Sequence, residues 1–375
     1  MTIATYLDAV SSEPLHPAAR EALAAAMDAG YADPLRLHGP ARNARLLLDN
    51  ARAVVAEAFA VRADEVTFTS SGTHAVQLGL LGLLEGRTRV SRRVVHSAIE
   101  HSAVFGAARW WSRAGGPPPV GVGVDRHGRL DLDALSSALA EPTGVLAVQH
   151  ASPEVGTLQP VEQIAELAGE VPLLVDACAT GARVPLPTGW AAAALSAHKW
   201  GGPPGVGVLL VRKGSRWRAP FPTDDRVDPR VSGFENVPAA LAAAAALQAR
   251  VAERQELNSR HAALAERLRA GLAAIPDLEL HGHPVERLPN LVSFSCLYVD
   301  AEALVTELDR QGLSVASGSA CTASVLEPSH VLVAMGALTH GNARVSFTRD
   351  ATESDVDRLL GVLPGIVADL RARLM

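Results

Sequence analysis

Cysteine is scarce here: three residues in a chain of 375. Three thiols build no disulfide framework and fit a reducing compartment, so a cytoplasmic location is expected. An excess of positive charge is missing too. A net charge of −6 and a pI near 6.1 argue against nucleic acid as a constitutive electrostatic partner. No long apolar run occurs; the segment 239–247 is apolar but far shorter than the roughly 20 residues that span a bilayer. No membrane association is therefore expected. Met1-Thr2-Ile3-Ala4 opens into a strand-like segment with no basic n-region or apolar h-region, so export is not expected. Internal repeats are absent, as are low-complexity segments beyond alanine enrichment. What remains is globular: 48% hydrophobic and 20% charged residues, in a chain that suits two domains because single cores stop growing at roughly 250–300 residues.

Apolar strand-like runs at 145–148, 173–175 and 206–211 alternate with helical stretches such as 161–168. That alternation predicts an α/β fold, a mostly parallel sheet with helices on both faces. Residues 236–275 are alanine-rich with a helical period and read as a connector into a C-terminal α+β domain. That domain is expected to hold strands at 291–296 and 344–348 and a last helix from Glu353, capped by Thr352.

Lys199 lies in Ser196-Ala197-His198-Lys199-Trp200-Gly201-Gly202-Pro203-Pro204-Gly205, between an apolar stretch and a turn of glycines and prolines. Glycines there allow unusual dihedrals and close backbone approach, and the prolines stiffen the turn. A partly buried lysine of this kind can act as an amine nucleophile toward an aldehyde cofactor. Taken alone it reads equally well as a loop lysine. Upstream, Pro172-Leu173-Leu174-Val175-Asp176 reads as a buried strand ending in a carboxylate. Pyridoxal phosphate (PLP) needs this pair: a lysine for its aldehyde and an acid to keep its ring nitrogen protonated. A helix cap is the ordinary reading of Asp176, but in an open α/β sheet ligands bind at the strand ends where both residues fall. Phosphate donors are supplied by Ser70-Ser71-Gly72-Thr73-His74 before an apolar helical stretch, a pattern that ordinary capping also produces. Glu100-His101 follows a strand-like run and offers a flat ring to stack on the pyridine.

These segments, in this order, resemble the class V, fold-type I PLP enzymes, and within them the cysteine desulfurases. The segment Ser317-Gly318-Ser319-Ala320-Cys321-Thr322-Ala323-Ser324-Val325-Leu326-Glu327-Pro328 is similar to that family's active-cysteine loop, and similarity runs from Tyr6-Leu7-Asp8 to Arg344-Val345-Ser346. The resemblance implies a large PLP-binding domain over 16–250 with a seven-stranded-type sheet and a small domain over 251–375. An N-terminal segment, 1–15, would pack with the small domain. It implies that Lys199 binds the cofactor and abstracts the substrate's α-proton, that Asp176 pairs with the ring nitrogen, and that His101 stacks and relays protons. Thr73, Ser196 and His198 would hold the phosphate, with Gly72 and His74 also on the cofactor. Arg344 would bind the substrate carboxylate, and Asn290, in the family-like Arg287-Leu288-Pro289-Asn290 segment, would also contact substrate, though it reads nearly as well as a turn residue before a strand. Cys321 would take sulfur from L-cysteine as a persulfide, leave alanine, and pass the sulfur to an acceptor protein. A homodimer and no metal are implied.

The chain departs from the family pattern in three places. Asp176-Ala177-Cys178-Ala179 lacks the usual glutamine, Ser152-Pro153-Glu154-Val155-Gly156 lacks an asparagine pair, and Val231-Ser232-Gly233-Phe234-Glu235-Asn236 lacks a threonine. Pro222 to Pro229 replaces a glycine-rich run. These changes leave open a related PLP lyase acting on selenocysteine or another C–S substrate. A non-catalytic homologue serving as a partner protein is disfavoured by the presence of Lys199, Asp176, His101, Arg344 and Cys321. Cys178 and Cys296 read as structural.

Overall fold

The structure is a computed structural model and describes residues 5–317 and 328–373. After a short strand β1 (Thr5–Tyr6), helices α1 (Pro17–Ala29) and α2 (Gly39–Ala58) lead into a seven-stranded sheet. Its strands are β2 (Val66–Thr69), β3 (Val94–Ser97), β4 (Val120–Val122), β5 (Val145–Gln149), β6 (Leu173–Asp176), β7 (Ala192–Ser196) and β8 (Gly207–Val211). Across the sheet the order is β2-β8-β7-β6-β5-β3-β4. Strand β8 pairs antiparallel with both its neighbours, and the other pairings are parallel. Strands β5 to β8 are buried at every position. That is why they read as continuous apolar runs rather than alternating ones: helices cover both faces.

On one face lie α3 (Gly72–Arg87) and α4 (Ser102–Arg113), packing Leu80, Leu83 and Trp111 against Val94 and Leu174. On the other lie α2, α5 (Leu132–Leu139), α6 (Val161–Ala168) and the first half of α7 (Val237–Leu272), around Leu48, Val175, Trp200 and Leu247. Helix α7 starts where Asn236 accepts from the Ala239 N–H and proline sits in its first turn. It then runs on without a break, so the division expected between 250 and 251 falls inside a continuous helix. Its second half, from Leu264 to Leu272, packs into a separate core with Phe294, Leu304, Phe347 and Leu363.

That second core is built on an antiparallel sheet, β12-β10-β9, of β9 (Leu278–Leu280), β10 (Leu291–Cys296) and β12 (Asn342–Ser346). Strand β11 (Leu313–Ser314) pairs in parallel with β1. Helices α8 (Ala301–Arg310), α9 (His330–Met335) and α10 (Glu353–Ala372) complete it. Helix α10 begins with a reciprocal Thr352–Asp355 capping box. The N-terminal segment joins both units. Ala9 and Val10 bond Ser346 in β12, while the Glu13 N–H bonds the carbonyl of His198 at the end of β7.

Candidate active site

Four strand ends converge on one cavity of about 280 Å³. Asp176 is the last residue of β6, Gln149 the last of β5, and Lys199 sits in a 3₁₀ turn directly after β7. His101 enters from the segment between β3 and α4. Parallel strands present their carboxyl ends together, so residues distant in sequence meet there. The N-terminus of α3 forms another wall through Ser71, Gly72 and Thr73, beside Ser196 and His198. Ser71 caps the helix by accepting from the His74 N–H at 3.1 Å. The N–H groups of Gly72 and Thr73, in the first turn, have no intrahelical acceptor. Together with the helix dipole they make an anion site.

Close packing at this wall requires glycine. A Cβ on Gly72 would stand 2.7 Å from Ser196 Cβ and 2.8 Å from Cys178 Sγ. Cys178, which follows Asp176 closely in sequence, thus lines the cavity against the helix terminus. Its fully buried thiol is pushed well above the ordinary range, chiefly by desolvation and then by Asp176. It therefore stays a neutral thiol. Cys296, buried in β10, is pushed up to about 11 by burial.

Burial sets the state of the acid next to Asp176. Asp176 Oδ1 accepts the Cys178 N–H at 2.9 Å. Behind it, Glu100 is 1% exposed, and its Oε1 accepts from Ser97 Oγ at 2.5 Å and from the Gln149 N–H at 2.9 Å. Burial, added to by Asp176, raises Glu100 to about 8. Glu100 is neutral near pH 7, with its Oε2 unpartnered among the described residues. His101 accepts the Ala103 N–H on Nδ1 at 3.1 Å. Desolvation lowers its pKa, with Lys199 and His330 acting the same way and Asp176 opposing. The ring is neutral, and its bonded Nδ1 puts the proton on Nε2. His198 is lowered first by burial and then by Lys199, and its Nδ1 lies 3.1 Å from Ser196 Oγ.

Not every expected residue reaches the cavity. His74 turns away toward a neighbouring pocket shared with Arg52, Ser70 and Phe234, and its Nδ1 is 3.1 Å from Ser70 Oγ. Adjacent helix positions point about 100° apart, so Thr73 and His74 do not share a wall. Asn290 is fully buried, lines no part of the cavity, and leaves both side-chain amide atoms unpartnered among the described residues. Arg344 does line it. Its guanidinium already donates to Pro153 O at 2.9 Å, Asp8 Oδ1 at 2.6 Å and Ser11 Oγ at 2.6 Å, while its Nε is unpartnered. Cys321 lies outside the described residues. The chain on either side of 318–327 is tied to the cavity rim: Ala316 exchanges backbone bonds with Arg344, Ser329 donates to Glu154, and His330 bonds the Glu100 carbonyl.

The aminotransferase class-V family model matches this chain over residues 5–359. The chain belongs to the class-V aminotransferase family. It is 33% identical to cysteine desulfurase IscS 1 of Archaeoglobus fulgidus over 374 residues, 98% of each chain. Against the IscS-like cysteine desulfurase of Mycobacterium tuberculosis it is 35% identical over 382 residues, 98% of this chain and 97% of that one. A solved NifS-like protein superposes with a TM-score of 0.90 at 28% identity, covering 98% of this chain and all of the other.

Class-V aminotransferases that are cysteine desulfurases depend on PLP, and the residues present here fit that cofactor. The cavity holds an amine (Lys199), a carboxylate kept apart from a neutralised neighbour (Asp176), and an imidazole (His101). It also holds a helix N-terminus whose close approach a Cβ would block. Departures from the family pattern lie on its walls: Ala179 and Pro153 both line the cavity, contributing no side-chain amide. Ser152 lies buried and accepts instead from the Glu154 and Val155 N–H groups, holding a local turn. Sequence reasoning missed the supporting groups. Arg183, buried and paired with Glu13 at 2.9 Å, donates to the Lys199 carbonyl and so braces its turn. Its only sequence signal is an arginine in an otherwise apolar neighbourhood.

Proposed function

We propose that this chain is a PLP-dependent cysteine desulfurase that converts L-cysteine to L-alanine and passes the sulfur, through Cys321, to an acceptor protein. The observation that carries this reading is one cavity gathering Lys199, Asp176, His101 and Arg344 beside the N-terminus of α3. When bound, PLP supplies an electron sink for charge developing at the substrate's α-carbon.

The chain's own residues do the rest. Asp176 would face the ring nitrogen, with the buried Glu100 near it held neutral. Gly72 and Thr73 N–H groups, with Ser196 and His198, would hold the phosphate. Lys199 would bond the aldehyde and, once freed by substrate, hold the α-proton on its Nζ. His101, neutral with its proton on Nε2, would stack on the ring and relay a proton. Arg344 would bind the substrate carboxylate. In the transfer, the Cβ–S bond of L-cysteine breaks and an S–S bond forms to the Cys321 thiolate. The bonding pair stays on carbon, which gains a proton to become alanine, and Cys321 is left as a persulfide.

A homodimer in a reducing compartment belongs to the same reading. Phe234 and Leu37, 62% and 89% exposed, offer apolar surface for such an interface. Sedimentation showing a fully active monomer would refute that part. The deciding assay mixes purified protein with PLP, L-cysteine and a thiol reductant, and measures alanine and sulfide together. Equal amounts of both are expected; sulfide released without alanine contradicts the reading.

A further inference from the structure

The environment of Arg344 holds one more ligand group. Its Nη2 gives one bond to Asp8 and another to Ser11, each at 2.6 Å. Both Nη2 protons are therefore taken, and a carboxylate cannot receive a two-bond fork without replacing one acceptor. The two acceptors are not equivalent. Ser11 lines the cavity and Asp8 does not, so an anion arriving from the cavity meets the hydroxyl first. Ser11 Oγ accepts from Arg344, and no described residue accepts its own O–H. A serine hydroxyl carries one donor proton, and this one is available at the mouth of the guanidinium.

Ser11 is also held firmly. Its N–H bonds Asp8 O at 3.1 Å, and the Tyr6 hydroxyl ties the same turn to Asp8 O and Ser12 O. Two residues beyond Ser11, the Glu13 N–H bonds the His198 carbonyl at 2.9 Å, and His198 Nδ1 lies 3.1 Å from Ser196 Oγ, linking this segment to the wall that carries Ser196. Behind the guanidinium, Asp8 Oδ1 and Pro153 O fix its plane, and the β1 segment that carries Asp8 is pinned to β11 and β12.

Resting on the desulfurase reading, we propose that Ser11 is a further substrate-binding residue. Its hydroxyl donates to the substrate's α-carboxylate alongside Arg344, and Asp8 is the positioning residue that holds Arg344 from behind. The site thereby selects α-amino acids over amines that lack the carboxylate.

Two probes separate the parts: L-alanine, which keeps the carboxylate, and ethylamine, which lacks it. Each is titrated by equilibrium dialysis against cofactor-loaded protein. Wild type is expected to prefer L-alanine. Ser11→Ala is expected to weaken L-alanine about tenfold, the scale of a hydrogen bond to a charged group, and to leave ethylamine unchanged. Ser11→Thr, which keeps the hydroxyl, restores the preference. Asp8→Asn lowers the same ratio without touching ethylamine. If wild type prefers L-alanine and Ser11→Ala keeps that preference, the Ser11 assignment is overturned while the desulfurase reading stands. If wild type shows no preference, both fall.

Discussion

Replacing Glu100 by glutamine tests whether the buried acid beside the cavity is held neutral. Glu100 is buried, with one oxygen satisfied by Ser97 and Gln149 and the other unpartnered among the described residues. Its acid is raised from 4.5 to about 8, chiefly by burial. In the unfolded chain the same group ionises in the ordinary carboxylate range. As pH rises between those two values the unfolded state loses a proton that the folded state keeps, so stability falls. The contribution is complete below about 4.5 and gone above about 8. Each pKa unit is worth ~1.4 kcal/mol, so the interval sets an upper figure of ~5 kcal/mol, reduced in practice by water reaching the opened site. Glu100→Gln keeps the acceptor for Ser97 and Gln149 and removes the titration. It leaves an unpartnered amide N–H in place of Oε2, a pH-independent cost of ~1–3 kcal/mol. Urea unfolding midpoints of both proteins, measured from pH 5 to pH 9, should show wild type losing several kcal/mol of stability relative to the variant. Parallel curves would refute the claim that Glu100 is held neutral.

Other consequences follow from the cavity's geometry. Lys199→Ala should leave no cofactor covalently attached after borohydride reduction, and a labelled Lys199→Ala protein would exclude Lys199 as the linking amine. Gly72→Ala places a methyl against Ser196 Cβ and Cys178 Sγ. It should cost ~1–3 kcal/mol of overpacking and weaken PLP at least tenfold, with Cys178→Ala in the same chain recovering part of the loss. Fluorescence titration of PLP checks this, and unchanged affinity would mean that the α3 terminus does not cradle the phosphate.

Much of the fold was readable because its elements are locally consistent. The continuous apolar runs that become β5, β6 and β8, the amphipathic α6 and the Thr352 cap of α10 each carry their own signal. The domain division was not. Helix α7 serves both cores in succession, and its alanine-rich sequence shows no break where one core ends and the next begins. In the site, Lys199, Asp176, His101 and Thr73 were legible because strand ends and a helix N-terminus fix where they point. His74, named beside Thr73, lines a neighbouring pocket instead, since a motif gives identity without giving the face. Asn290 was placed in the site from its segment, but it is fully buried and is not among the residues lining the cavity. The partners of Arg344 depend on pairing β1 with β11 across nearly the whole chain, and Glu100 looks like any acid beside a histidine until its burial is known. Neither leaves a local trace.

Sulfur is expected to leave L-cysteine for one particular thiol. Cys178 and Cys296 are buried and held as neutral thiols, so neither suits nucleophilic attack, which leaves Cys321. Peptide mass spectrometry after one turnover of L-cysteine, with PLP and no reductant, reads the outcome directly. One extra sulfur is expected on the peptide containing Cys321, with one alanine formed beside it, and almost no alanine from Cys321→Ala. Extra sulfur on Cys178 or Cys296, or alanine from Cys321→Ala at the wild-type rate, would contradict it.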